Sequence, residues 1–219
     1  MKIEYLFFLF LLFGCNNQSV NLDKSKLLID TLDIEGSEFI VFQSYPGRDT
    51  SCNLTIIDCN EDTVYIHANY ATNGFELEDF DDNGLLDIRM YHLSNIGGIS
   101  ELILYDKKSK SFKEVKNFTE FAQPTKLENS EYWYSYQRRG CADANWESKL
   151  FRIQDFKAIE MGKIDGIFCD SDSIKGIFIY KTSEEKMTKI HSEKMLKEEF
   201  IDRDAYVKDY WKNNYKKFE

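Results

Sequence analysis

FELEDFDDNGLLDIRMYHL, residues 75–93, decides how the chain is read. Oxygen-bearing side chains fall at Asp79, Asp81, Asn83 and Asp87, positions 1, 3, 5 and 9 of a loop whose position 6 is Gly84. Calcium is a hard ion that takes six to eight oxygens, and a tight glycine-permitted turn lets alternate residues point at one centre. The backbone carbonyl of Leu85 supplies position 7. Position 12 is Met90, so the closing bidentate glutamate of an EF-hand is missing. Residues 88–91 continue in β-prone residues where an EF-hand would start a helix. The stretch therefore reads as strand, EF-hand-like calcium loop, strand. The competing reading is a hairpin turn with solvated acids. The three carboxylates at ligand positions, packed within nine residues, repel one another without a cation, which favours a structural Ca²⁺.

Outward from this loop the pattern repeats. Residues 38–43 (EFIVFQ), 54–58, 63–70 (TVYIHANY), 75–80, 85–93, 101–105, 132–138, 148–156 and 174–181 are rich in β-branched and aromatic residues and are punctuated by turn residues. Short segments of this kind predict a mainly β fold, an antiparallel sandwich or propeller-like meander, not βαβ units. After residue 182 the composition changes. Ser183, Glu184 and Glu185 read as a helix start, and Val207, Tyr210, Trp211, Tyr215 and Phe218 recur at helical spacing. This predicts a C-terminal helical appendage over 183–219, its aromatic stripe docked on the β body; a partner-binding or membrane-surface helix is the other reading.

The N-terminus has signal-peptide anatomy. Lys2 precedes eight residues of Leu and Phe only, from Leu6 to Phe13, then Gly14 and Cys15. The run is far short of the roughly 20 residues that a membrane helix needs. Leu12-Phe13-Gly14-Cys15 resembles the bacterial lipobox, which implies cleavage after residue 14, lipid on Cys15 and anchoring through acyl chains. The organisation expected is a signal peptide over 1–14, a lipidated cysteine and polar tether over 15–25, a β domain over 26–182 and the helical segment. A lipid-anchored protein of the bacterial cell envelope follows, on the outer membrane facing the periplasm or the cell surface.

The chain has 219 residues, 42% of them apolar and 15% aromatic, enough for one core and too few for a multidomain machine. With 28 basic and 38 acidic residues its formal charge is −10, a field that repels nucleic acid. With Cys15 lipidated, Cys52, Cys59, Cys141 and Cys169 remain, an even number compatible with two disulfides in an oxidising compartment. Three connectivities exist. Proximity in sequence favours Cys52 with Cys59 and Cys141 with Cys169, without deciding it. No zinc-type Cys/His spacing occurs.

No G-x-S-x-G, H-E-x-x-H, P-loop or dinucleotide glycine pattern is present, and His67, His92 and His191 are scattered. The expectation is a binding protein, not an enzyme. The second feature is EYWYSYQRR, residues 131–139. Alternation puts Tyr132, Tyr134 and Tyr136 on one face and Trp133 on the other. Aromatic faces stack on sugars or anchor interfaces, and Arg138 and Arg139 suit carboxylates, so this strand is the candidate partner-binding surface. The other reading buries one face in the core.

Phe75 through Asp87 and Met90, with Tyr105-Asp106 and Phe112 beyond a Lys/Ser turn, resembles the single-calcium-loop β proteins related to FG-GAP and VCBS repeats. More narrowly it is similar to periplasmic lipoproteins that act as immunity proteins against lysozyme-like toxins delivered by type IV secretion. The resemblance covers roughly residues 74–160 and is specific around the loop. It implies that Asp79, Asp81, Asn83 and Asp87 are calcium ligands, with Asp81 and Asn83 exchanging the Asn and Asp often found at positions 3 and 5. It also implies inhibition of a cell-wall hydrolase; an envelope glycan, held by the aromatic strand of a scaffolding surface lipoprotein, is the alternative partner.

Overall fold

The computed structural model describes residues 27–44, 52–69, 72–169, 175–183, 186–194 and 202–219. The stretches read as a signal peptide and a tether, and Cys15 between them, lie outside them. Among the described residues are fourteen strands in three antiparallel sheets and one α-helix, and no sheet closes into a barrel. The fold is mainly β, and the sheets are meanders, because each strand pairs with its neighbour in sequence. The region expected as one β domain divides after Asn69 into two compact units.

The first unit is a four-stranded sheet of β1 (Leu27–Ile34), β2 (Ser37–Ser44), β3 (Cys52–Ile57) and β4 (Thr63–Asn69). Strand alternation places Leu32, Ile34, Val41, Leu54 and Ile56 on its buried face. The β3–β4 turn is organised by Asp58, whose Oδ1 accepts from the backbone N–H of Asn60 (2.9 Å) and Asp62 (3.0 Å).

The second unit holds two sheets. One contains β5 (Thr72–Glu78), β6 (Asp87–His92), β7 (Ser100–Asp106) and β8 (Ser111–Glu114). The other runs β14-β13-β12-β11-β10-β9, built from β9 (Thr125–Lys126), β10 (Tyr132–Arg138), β11 (Trp146–Gln154), β12 (Lys157–Ile167), β13 (Gly176–Ser183) and β14 (Lys186–Lys194). Phe80, Leu102, Leu104, Phe118, Phe121, Trp133 and Phe151 form an apolar cluster that joins the two. On the opposite face of the larger sheet, Tyr132, Trp146, Leu150, Ile164, Ile177 and Ile179 are covered by Val207, Trp211 and Phe218.

Those last three residues belong to helix α1 (Arg203–Asn214) and the 3₁₀ turn Tyr215–Phe218 that follows it. Asp202 caps the helix by accepting from the N–H of Ala205 (3.1 Å), with Asp204 in its first turn and Lys212 in its last. The aromatic stripe thus docks on the β body. The helix start expected at Ser183 is corrected: Ser183 pairs with Lys186 across the β13–β14 ladder, and residues 186–194 are an exposed edge strand. Ladder hydrogen bonds to β13 outweigh the helical reading of this charged segment. Among the described residues the α-helical part is the twelve residues Arg203–Asn214.

Candidate metal centre

Glu78 and Asp87 face each other in the β5–β6 ladder, so the acidic loop 79–86 is closed at its base by a paired strand position. Local hydrogen bonds fold it. Asp79 accepts from the backbone N–H of Asn83 through Oδ1 and of Gly84 through Oδ2, both at 3.0 Å. Asp81 Oδ1 accepts from Asn83 N–H (3.2 Å), and Asn83 Oδ1 from Leu85 N–H (2.8 Å). Asp82 (φ 59°) and Gly84 (φ 82°) turn the chain through the left-handed region, where glycine is the residue without a steric cost.

Asp87 is the central group. As the first residue of β6 it is only 1% exposed; its Oδ2 accepts from Phe80 N–H (3.0 Å), and its Oδ1 is buried without a hydrogen-bond partner. Burial, together with the negative charges of Asp81 and Asp79, pushes its carboxyl up to about 8, against the opposing pull of the Phe80 and Asp81 backbone N–H groups, the latter falling short of a full hydrogen bond to Oδ1. One carboxylate oxygen from each of Asp79, Asp81 and Asp87 lies within 4.8 Å of the others. Two oxygens bound to one calcium ion at about 2.4 Å are at most roughly 5 Å apart, so this spacing fits a shared ion. Of the five expected ligands the structure gathers the three carboxylates. Asn83 turns its amide oxygen to the backbone of Leu85, whose side chain is buried.

The loop is docked by contacts that sequence reading missed. Phe80 stacks on Trp133 (centroids 5.4 Å apart, planes 8° apart). Lys126 Nζ donates to the carbonyl of Asp81 (3.1 Å), pairs with Asp82 Oδ2 (2.5 Å) and lies 4.7 Å from the centroid of the Trp133 ring. No spacing in the chain announces Lys126, which is 45 residues away from Asp81.

The aromatic strand is not an open platform. Tyr132 is 3% exposed on the helix-covered face, where it meets Tyr215, and Trp133 is 5% exposed in the cluster with Phe80 and Phe151. Tyr134 and Tyr136 are half-buried against the helix-side cluster. Tyr132 and Trp133 are therefore closed to a partner, because β10 lies between β9 and β11 with packing on both sides, whereas Tyr136 is only partly buried and Arg138 is exposed. Arg138 pairs with Asp143 (2.6 Å), and Arg139 with Glu147 (3.1 Å) and Asp165 (3.4 Å).

Cys141 and Cys169 form a disulfide with Cα atoms 6.1 Å apart. Cys59 is an exposed free thiol, so the expected Cys52–Cys59 bridge is corrected. The six-residue strand β3 separates the two positions by roughly 17–20 Å, far beyond the reach of a disulfide. His92 pairs with Glu101 (3.1 Å) and His191 with Glu193 (3.3 Å), while His67 stacks on Tyr65. No helix among the described residues is long and apolar enough to cross a membrane.

No family model and no curated protein matches the chain. A solved structure described as a Xanthomonas type IV secretion system related protein is similar over 74% of this chain and 85% of its own, at 13% identity and a TM-score of 0.43. At those values the likeness is a weak one.

Proposed function

We propose that this chain is a lipid-anchored, calcium-stabilised binding protein of the bacterial cell envelope, and most concretely an inhibitor, an immunity protein, of a lysozyme-like cell-wall hydrolase. The observation that carries the calcium part is Asp87, a buried carboxylate with an unpartnered oxygen beside Asp79 and Asp81. A buried polar atom without a partner costs about 1–3 kcal/mol, more when charged, and a bound divalent cation supplies the missing partner and the countercharge. Asp79, Asp81 and Asp87 would hold it. Its role is structural: with their repulsion relieved, the loop keeps Phe80 seated on Trp133 and so keeps the two sheets of the second unit joined.

The signal peptide and lipobox support the location, and the resemblance around residues 74–160 supports the inhibitor reading. An inhibitor acts by binding, and the net charge of −10 steers it toward a basic enzyme at low ionic strength. The test is direct. Mature protein is assayed for binding and inhibition against a panel of lysozyme-like enzymes, with calcium and with a chelator. Protection of a cell-wall substrate is expected; no binding to any member of the panel overturns the inhibitor reading. Calorimetric titration of calcium into wild type and the Asp79→Ala, Asp81→Ala variant tests the cation separately, and equal heats would sink it.

A further inference from the structure

The chain segment joining β10 to β11 contains a feature that neither the cation loop nor inhibition requires. Gly140, Cys141, Ala142 and Asp143 have φ of 65°, 56°, 49° and 68°, four consecutive residues in the left-handed region. Left-handed helical geometry costs roughly 1–2 kcal/mol per non-glycine residue. Such a run persists only where its surroundings over-determine it, and strained segments of this kind cluster at functional sites. Here the restraints are named. Cys141 is tied to Cys169; Asp143 N–H donates to Gly140 O and Ala144 N–H to Cys141 O, both at 3.1 Å. The Asp143 side chain pairs with Arg138 at 2.6 Å, and its carbonyl accepts from Arg203 Nη1 at 2.5 Å.

This turn forms one wall of a cavity of about 200 Å³. Asn95, Gln123, Tyr136, Gln137, Arg138 and Asp143 line it. The wall supplied by the β6–β7 loop is fixed too: Gln123 N–H donates to Gly98 O (3.0 Å) and its Nε2 to Gly97 O (3.3 Å). A Cβ on Gly98 would come within 2.3 Å of Gln123 Cγ, at a φ of 80°, so that close approach requires glycine.

The lining chemistry selects a ligand class. Asn95 and the Tyr136 phenol offer donors and acceptors, and the amides of Gln123 and Gln137, whose nitrogens already donate to Gly97 O and Glu147, are held in place by those bonds with their oxygens as acceptors. The only charges are Arg138 and Asp143, already paired, so the cavity has no net charge with which to favour an anion or a cation. Ile96 is the one aliphatic side chain in the lining, which leaves little for an apolar ligand or for the side-chain pockets of a peptide. The volume is below the roughly 300–1,000 Å³ of drug-sized pockets, enough for one ring of a longer molecule.

We infer that this cavity is a binding site for a neutral, polyhydroxylated ligand, a single saccharide unit at the end or in the middle of a glycan. The rigid walls lower the ordering cost of binding. The inference does not rest on the cation loop or on inhibition of an enzyme.

The test is titration of the isotope-labelled mature protein with N-acetylglucosamine, its β-1,4-linked dimer and trimer, maltotriose and inorganic phosphate, followed by backbone amide NMR. Saturable shifts at Gly97, Gly98, Gly140 and Asp143 with at least one of the sugars are expected, and none with phosphate. Arg138→Ala and Gln123→Ala should each weaken binding roughly ten-fold. Asn95→Ala, on an exposed loop, should weaken it with the amide spectrum otherwise unchanged. Absence of saturable shifts with every sugar, a response to phosphate instead, or sugar binding indifferent to all three substitutions overturns the assignment.

Discussion

The indole Nε1 of Trp211 donates to the hydroxyl of Ser148 at 2.7 Å, a buried hydrogen bond between the C-terminal helix and the first half of β11. It fixes which face of the helix meets the sheet, since both residues are fully buried and Trp211 also packs edge-on against Phe218. Trp211→Ala should cost about 3–5 kcal/mol from lost packing. Ser148→Ala, which strands the indole N–H, should cost about 1–3 kcal/mol. Chemical denaturation of the two variants beside wild type reads both values, and near-wild-type stability for Trp211→Ala would show that the helix is not part of the core.

The ion-free protein should lose stability as pH rises. The Asp87 carboxyl titrates near 8 when folded against 3.8 for the free side chain, so between these values the folded chain holds a proton that the unfolded chain has released. That contribution is full below about pH 4, declines across the interval and is gone above about pH 8. Asp87→Asn should flatten the profile in the presence of a chelator. Adding calcium at pH 8 to about 100 times its dissociation constant should stabilise wild type by about 2.7 kcal/mol and leave Asp87→Asn unmoved. Thermal melts with and without calcium across pH 4–8 provide the measurement.

Replacing both Cys141 and Cys169 by Ser should destabilise the fold by about 2–4 kcal/mol, because the bridge closes a loop with a sequence separation of 28 residues. Without reductant, a thiol reagent should label Cys59 in the native protein and leave Cys141 and Cys169 unreacted. Peptide mapping of the labelled protein checks it, and labelling at Cys141 would contradict the bridge.

Two glycines of β12 are set by what lies over them. A Cβ on Gly162 would fall 2.3 Å from Phe218 Cδ1, and one on Gly166 would fall 2.2 Å from Trp146 Cε2. Gly162→Ala and Gly166→Ala should each cost about 1–3 kcal/mol by overpacking. For Gly162→Ala the loss should appear as early release of the last turn at Phe218, seen by hydrogen exchange.

Much of the fold class was legible because β-branched and aromatic runs between turns leave a strong local signal. Strands without such a pattern were not. KMTKIHSEK, which forms β14, is exposed at every position, so no apolar alternation marks it and its ladder with β13 is what places it. For the aromatic strand the limit was tertiary packing. Alternation separated the faces of Tyr132 and Trp133 correctly, but only the packing of a helix on one face and phenylalanines on the other shows that neither is open. Cysteine spacing told the same lesson twice: proximity in sequence matched proximity in space for Cys141 and Cys169, and an extended strand defeated it for Cys52 and Cys59.

By itself the sequence determined a β chain with an acidic loop at residues 79–87 and an aromatic C-terminal stripe, because these depend on residues near one another along the chain. Tertiary structure decided that Asp87 is buried with an oxygen left over, that Lys126 ties the loop down, and that a left-handed turn walls a polar cavity. Each of these rests on groups brought together from distant parts of the chain, and burial and hydrogen bonding are properties of that assembly and not of the local sequence.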